Sequence, residues 1–396
     1  MTTCVVPERG VAFTTRDHLL LAGIVLVSIN LRPAITSVGP LLPQIQADLG
    51  LSGSQAGVLT MLPVLCLGAF AGLGLTLRRR FGENPVLFGC LPVLAVGVLV
   101  RMLPPATALY AGTVLIGAAV AVANVLLPGI IKREFPDRLP LVFALYTMSL
   151  TFGGAAAAGF VIPSEQIFGI DWRGALGLLG IGVLLGMLGW LPQLRRERAI
   201  PVDRPVIGGL LRSSLAWQVT LFAAFESLLA FVIFGWLPAI CVSRGLSEVE
   251  GGFLMSANTF LQALGSLFVP WLIARTRDQR GIAAGLSIAL AGGMAAVVFA
   301  PLWSIWFWVL LLGLIDGMAF GLALTLIGMR AADDTTAAGL SSMAQGVGYA
   351  IAATGPFLVG LLYQLSGGWT VPLLFIMGCC AAAAVFGLGA GRKATV

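Results

Sequence analysis

The sequence predicts an all-α membrane protein of twelve spanning helices in two pseudo-symmetric six-helix bundles, and three observations predict it. Of 396 residues, 58% are hydrophobic and 10% charged, where a soluble domain carries roughly 25% charge. Twelve apolar stretches of about twenty residues or more divide the chain. The landmarks of its first half then return in the second at an offset of about 195 to 197 residues.

The stretches fall at about 19–42, 54–77, 85–103, 107–131, 139–162, 173–193, 215–241, 247–273, 281–301, 303–329, 337–363 and 369–390. Each covers the ~30 Å hydrocarbon slab as a helix, and each is about twice the length of a barrel strand. A lipid-embedded segment must satisfy its own backbone, so helices follow. The 51 glycines suit helices that pack through small side chains. An even number of spans puts both termini on one side. Loops on that side hold Arg9, Arg16, Arg78, Arg79, Arg80, Lys132, Arg133, Arg138, the run from Arg195 to Arg212, Arg275, Arg277, Arg280, Arg330, Arg392 and Lys393. The opposite loops hold Arg101, Arg173 and Arg244. The positive-inside rule therefore places both termini in the cytoplasm. The polar first 17 residues lack a small-residue cleavage site, so the first span is expected to be permanent rather than a signal peptide.

The repeat sets the domains. Leu42-Pro43 with Gly50-Leu51-Ser52 and Gly57 is echoed by Leu237-Pro238 with Gly245-Leu246-Ser247 and Gly252; Arg133 corresponds to Arg330, and Asp171-Trp172 to Gly368-Trp369. Residues 1–193 form one bundle, 194–212 a basic cytoplasmic linker and 213–396 the second bundle. Two six-helix halves of this kind place a solute site near the bilayer midplane between them and alternate access by rocking.

Charge inside the spans marks the site. Ser28-Ile29-Asn30-Leu31-Arg32-Pro33-Ala34-Ile35-Thr36-Ser37-Val38-Gly39-Pro40 sets a cation and an amide in the first span. A guanidinium at mid-bilayer costs at least about 2.5–3.5 kcal/mol on insertion scales, so Arg32 must face a cavity, protein interior or counter-ion. Glu226 in the seventh span lies one repeat from Leu31, so the symmetry sets Arg32 and Glu226 facing each other. They form either a pair that opens for an anion while Glu226 takes a proton, or a permanent ion pair fixing two helices. Asp316 in the tenth span has no evident basic partner. It serves either as a proton-coupling group or as a structural hydrogen-bond donor. Asn30, Asn124, Asn258, Gln262 and Gln345, with Tyr146, Tyr349 and Trp236 as aromatic walls, are the candidate solute contacts. Each alternatively acts as interhelical glue. Gln345 stands out in Ala344-Gln345-Gly346-Val347-Gly348-Tyr349, where glycine permits close backbone approach.

Other chemistry is unsupported. The sequence holds no phosphate-binding Gly-Lys-Ser loop, one histidine (His18), and six cysteines without metal-site spacing. No enzyme activity, cofactor, metal or nucleic-acid partner is expected; the partners are a small solute, protons and the bilayer, and a monomer is expected.

Twelve helices in two repeats around a basic linker resemble the major facilitator superfamily. Asp278-Gln279-Arg280-Gly281 resembles its loop signature, and Arg78-Arg79-Arg80-Phe81-Gly82 keeps the basic residues and glycine without the aspartate. The resemblance implies a gating role for Arg79, Arg80, Gly82, Asp278, Arg280 and Gly281. Within the superfamily, Asn30-Leu31-Arg32-Pro33 with Val38-Gly39-Pro40-Leu41-Leu42-Pro43 resembles the cyanate / 2-nitroimidazole permease family. So do Asn124-Val125-Leu126-Leu127-Pro128-Gly129, Leu215-Ala216-Trp217-Gln218-Val219-Thr220, Gly235-Trp236-Leu237-Pro238-Ala239 and the Gln345 segment, more on the 2-nitroimidazole side. That implies a proton-motive permease of the bacterial inner membrane for small anions or weakly acidic heteroaromatics, with Arg32 matching the family's first-helix arginine. Glu226 and Asp316 lie outside its shared motifs and serve either proton coupling or a more basic or zwitterionic solute. A broad-specificity drug or metabolite proton antiporter is the alternative.

Overall fold

In the computed structural model, residues 14–194, 209–276 and 278–396 are described. Cys4, Arg9, Arg195, Arg196, Arg198, Arg204 and Arg277 lie outside them, as does most of the linker. The first half comprises α1 (Thr15–Ser28), α2 (Pro33–Thr36), α3 (Val38–Leu49), α4 (Gly53–Phe81), α5 (Glu83–Arg101), α6 (Ala106–Glu134), α7 (Leu139–Phe168) and α8 (Trp172–Trp190). The second comprises α9 (Ser214–Ser243), α10 (Glu248–Leu267), α11 (Val269–Ala274), α12 (Arg280–Phe299), α13 (Ile305–Met329), α14 (Asp334–Ser366) and α15 (Thr370–Ala390). Among the described residues twelve runs are long and apolar enough to cross a membrane, as the hydropathy pattern predicts.

The repeated Gly-Leu-Ser landmark is a helix punctuation mark. Gly50 (φ 63°) and Gly245 (φ 101°) occupy the left-handed region that closes a helix, while Ser52 and Ser247 cap the next one. Each serine accepts from the backbone N–H three residues on, at Gln55 and Glu250, whose side chains accept from the serine N–H in return. The same local chemistry therefore turns the chain at the same place in both halves.

The first span is broken twice. Pro33 has no N–H to give Ile29, and before it Asn30 and Leu31 bond three residues back, to Val27 and Ser28. The Leu26 carbonyl is taken by the Asn30 Nδ2 group at 2.6 Å, which also donates to Gly182 of α8 at 2.9 Å. Helix α7 closes on the Ile29 carbonyl so tightly that a Cβ on Gly153 would sit 2.0 Å from it. The second gap, at Ser37, separates α2 from α3; there Arg101 Nη1 donates to the Ala34 carbonyl at 3.0 Å. Two sequence expectations change here. Asn30 supports the break instead of facing the central cavity. Arg101, read as a loop cation, is 1% exposed, with its Nε donating to Thr113 Oγ1 at 3.0 Å. One carbonyl and one hydroxyl thus take two of its donors inside the bundle, while Nη2 has no partner among the described residues.

The halves meet on the face away from the termini. There α4 packs on α14, α7 on α10 and α3 on α9, and one buried cluster joins Leu41, Leu59 and Val161 to Leu229, Leu254 and Val359. Trp236 is part of this seal: it is 1% exposed and donates from Nε1 to the Pro356 carbonyl at 2.9 Å.

Asn30→Ala leaves the Leu26 and Gly182 carbonyls without that donor inside the membrane. It should destabilise the fold by about 1–2 kcal/mol, read as a lower unfolding temperature of purified protein. An unchanged unfolding temperature would remove Asn30 from this role.

Candidate functional site

Between the halves lies a cavity of about 270 Å³. Its polar lining is Arg32, Asn124, Tyr146, Ser341, Gln345 and Tyr349, set among Phe231, Phe320 and aliphatic side chains. It continues toward the face that bears the termini, reaching Ile327 near the end of α13 and Ser341 near the start of α14. Five of the residues named from the sequence, Arg32, Asn124, Tyr146, Gln345 and Tyr349, are thus brought to one space from four separate helical segments.

Arg32 occupies the turn that precedes α2, where the broken span frees its side chain to leave the first bundle. Its guanidinium lies 5.5 Å from the centroid of Phe234 on α9 and donates from Nη1 to Gln262 Oε1 on α10 at 3.4 Å. Gln262 in turn donates from Nε2 to Asp316 Oδ2 on α13 at 2.5 Å. One amide therefore connects the cation of the first half to a carboxyl of the second. Aromatic faces and amides tolerate a guanidinium while leaving it without a direct carboxylate partner, so an anion arriving from the cavity meets an available charge.

This geometry corrects the pairing expected from the repeat. Glu226 is fully buried inside the second bundle and accepts from Ser287 Oγ of α12 at 2.7 Å; it does not face Arg32 in this conformation. A repeat fixes a position along a helix, whereas a break in one copy, here the turn from Ile29 to Arg32 ahead of Pro33, redirects the side chains within it. Asp316, read as lacking a basic partner, has one through Gln262. Glu226 Oε2 and Asp316 Oδ1 each lack a hydrogen-bond partner among the described residues.

Two further candidates lie elsewhere. Asn258 is buried within the second bundle and donates from Nδ2 to Val309 at 2.9 Å. Trp236 belongs to the far-face seal. Inside the cavity, Tyr146 donates to Asn124 Oδ1 at 3.4 Å and Gln345 donates to Ser341 Oγ at 3.1 Å. Phe231, Phe234 and Ser341 were not singled out in the sequence. The spacing of Phe231 and Phe234 on one helix was the available signal, but α9 carries further aromatics at Phe222 and Phe225 that face its own bundle.

The signature loops differ between the halves. Gly82 (φ 83°) joins α4 to α5, and the next residue, Glu83, is 5% exposed and takes Arg78 Nε at 2.6 Å and Arg133 of α6. Glu83 supplies the acid that the first loop lacks as an aspartate. At the equivalent positions of the second half, the neutral Gln279 accepts from Arg330 Nη2 at 2.5 Å, and Arg330 also donates to the Ala390 and Gly391 carbonyls. Asp278 and Arg280 form an exposed pair at 3.9 Å, Arg80 lies over Phe81, Arg79 is exposed, and a Cβ on Gly281 would meet open space. The buried clamps are thus made by Glu83 with Arg133 and by Gln279 with Arg330, beside the residues named from the motif.

Residues 24–353 match the Major Facilitator Superfamily. The chain is 41% identical over 379 residues to the 2-nitroimidazole transporter of Escherichia coli strain K12, covering 94% of this chain and 95% of that protein. It is 30% identical over 369 residues to the cyanate transport protein CynX of the same strain, covering 91% and 94%. An uncharacterized Bacillus subtilis transporter, YycB, is 37% identical over 377 residues, covering 94% and 93%. Among solved structures, a bacterial homologue of the human lysosomal transporter Spinster, inward-facing and occupied, superposes with a TM-score of 0.72 at 17% identity, covering 96% of this chain and 93% of that one. That likeness is one of fold.

The face toward which the cavity opens is testable with thiols. The described cysteines, Cys66, Cys90, Cys241, Cys379 and Cys380, are all buried. In a cysteine-free background, Ser341→Cys and Gln345→Cys should react with a membrane-impermeant maleimide applied to the face bearing the termini, whereas Val359→Cys, in the buried far-face cluster, should resist it from the opposite face. Labelling of position 359 from the opposite face, with positions 341 and 345 protected, would contradict this conformation.

Proposed function

Since this chain belongs to the Major Facilitator Superfamily and is a membrane transporter, we propose that it carries a small anionic or weakly acidic solute, of the cyanate or nitroimidazole kind, across the bacterial inner membrane by proton-coupled alternating access. The observation that carries this reading is Arg32, presented to a 270 Å³ cavity and tied through Gln262 to Asp316. The cavity volume suits a small solute better than the larger pockets that hold drug-sized molecules. Its aromatic walls, Phe231 and Tyr349, meet edge to face at 6.3 Å and offer flat surfaces to a heteroaromatic ring. The two Escherichia coli relatives are named for 2-nitroimidazole and cyanate, both small and polar enough for such a space.

In this mechanism the solute's negative charge docks on Arg32 and draws it from Gln262. Asp316 then loses the cation it faced across the amide, and a carboxylate left without counter-charge in a low-dielectric interior takes up a proton. Solute and proton thus enter the site together, and the neutralised site lets the halves rock about the far-face contacts. Glu226, held by Ser287, is assigned a supporting place in the second bundle, with Asp316 as the coupling acid. With the termini in the cytoplasm, the cavity opens inward.

The direct test is flux of labelled 2-nitroimidazole, with cyanate in parallel, into proteoliposomes with and without an imposed pH gradient. Gradient-dependent flux of either supports the reading; inhibition by many unrelated lipophilic compounds, with neither solute moved, would replace it with a broad-specificity exporter. Arg32→Ala removes a charge-assisted contact of about 1.5–3 kcal/mol, so solute affinity should fall about 10- to 100-fold at equal expression; full transport in this variant would end its anchor role. Asp316→Asn should lose the response to a pH gradient while retaining solute exchange between two loaded compartments. Unaltered pH dependence would remove Asp316 from the coupling.

A further inference from the structure

A second feature lies on the lipid-facing side of the first bundle, away from the central cavity. Helices α4, α5 and α6 enclose a groove of about 450 Å³ whose walls include Leu73, Leu77, Phe81, Gly89, Val93 and Val122. Its α4 wall repeats every fourth residue from Leu73 to Phe81, about 12 Å at the helical rise of ~1.5 Å per residue. That nearly matches the ~15 Å depth of one leaflet's hydrocarbon. Phe81 is the last residue of α4, so the groove's mouth lies at the face bearing the termini. At that mouth the Arg80 guanidinium stands 5.3 Å from the centroid of the Phe81 ring, and Arg80 makes no ion pair among the described residues. Its neighbour Arg78 is instead engaged by Glu83.

An apolar slot one leaflet deep with an uncompensated cation at its membrane-surface end has the polarity of an anionic phospholipid: an acyl chain along the slot and the phosphate at the guanidinium. We infer that this groove is a binding site for an anionic phospholipid, oriented with its head group at Arg80. The linings of both grooves are uncharged, but the other lipid-facing crevice, bordered by Asn30, Phe152, Phe160, Phe168 and Ile181, ends near Arg173, which is already paired with Asp48 and Asp171 and so leaves no unengaged head-group partner. The distinction between the two is the charge at the mouth.

Full-length protein reconstituted in equal phosphatidylglycerol and phosphatidylcholine of matched chains, then extracted in mild detergent, allows retained lipids to be counted by native mass spectrometry. One phosphatidylglycerol should be retained about fivefold over phosphatidylcholine, the preference that one interfacial cation confers. Arg80→Gln, an exposed change, should bring the ratio to parity. Gly89→Phe places a ring in the groove, where a Cβ meets nothing within 4 Å, and should lower retention of both lipids. Arg280→Gln, an exposed arginine of the other bundle, should leave the preference intact. Parity in the unaltered protein, a preference that survives Arg80→Gln, retention unaffected by Gly89→Phe, or equal loss with Arg280→Gln would each overturn the assignment.

Discussion

A helix in lipid cannot leave its backbone groups unpaired, and the rest of this structure depends on how that constraint is met where the first span breaks. Pro33 opens the hydrogen-bond ladder within the span. The break is then met partly by its own Asn30 and partly by the packing of the surrounding helices. Asn30 bridges Leu26 to Gly182, Arg101 reaches Ala34, and Gly153 lets α7 close on Ile29. The break therefore costs little within this particular bundle, and it places Arg32 on a turn from which its side chain crosses to the other half.

What Arg32 reaches across the interface is not a carboxylate. The Phe234 face and the Gln262 amide hold it, and a carboxyl stands one residue further away, at Asp316. A direct ion pair at this depth would compete strongly with any arriving anion; an amide spacer weakens that competition while keeping the two groups connected. The central site thus joins a cation of one bundle to a carboxyl of the other through a single amide.

The two bundles are similar in fold and unequal in chemistry. Gly50 and Gly245 turn the chain alike, and Ser52 and Ser247 cap alike. Yet the helix-end clamp is ionic in the first half, Glu83 with Arg133, and neutral on one side in the second, Gln279 with Arg330. The first-half charge also leaves Arg80 as the cation at the mouth of the lipid-facing groove, because Glu83 is occupied by Arg78 and Arg133. The chemical differences between the halves therefore rest on a few side chains placed on a shared backbone plan.

The sequence alone determined the twelve spans, the two-bundle plan and the family, because these rest on local properties: run length of apolar residues, loop charge, cap residues and short motifs. It also identified Arg32, Asn124, Tyr146, Gln345 and Tyr349, since polar groups inside spans are rare enough to stand out. Only the tertiary structure decided which of the polar groups meet. Asn30, Asn258 and Trp236 look like solute contacts by composition but satisfy buried carbonyls, and Glu226 turns to Ser287 while Asp316 reaches Arg32 through Gln262. The reason is rotational: hydropathy gives a residue's depth in the membrane, whereas the direction of its side chain depends on helix breaks and crossing contacts formed by residues far away in the chain.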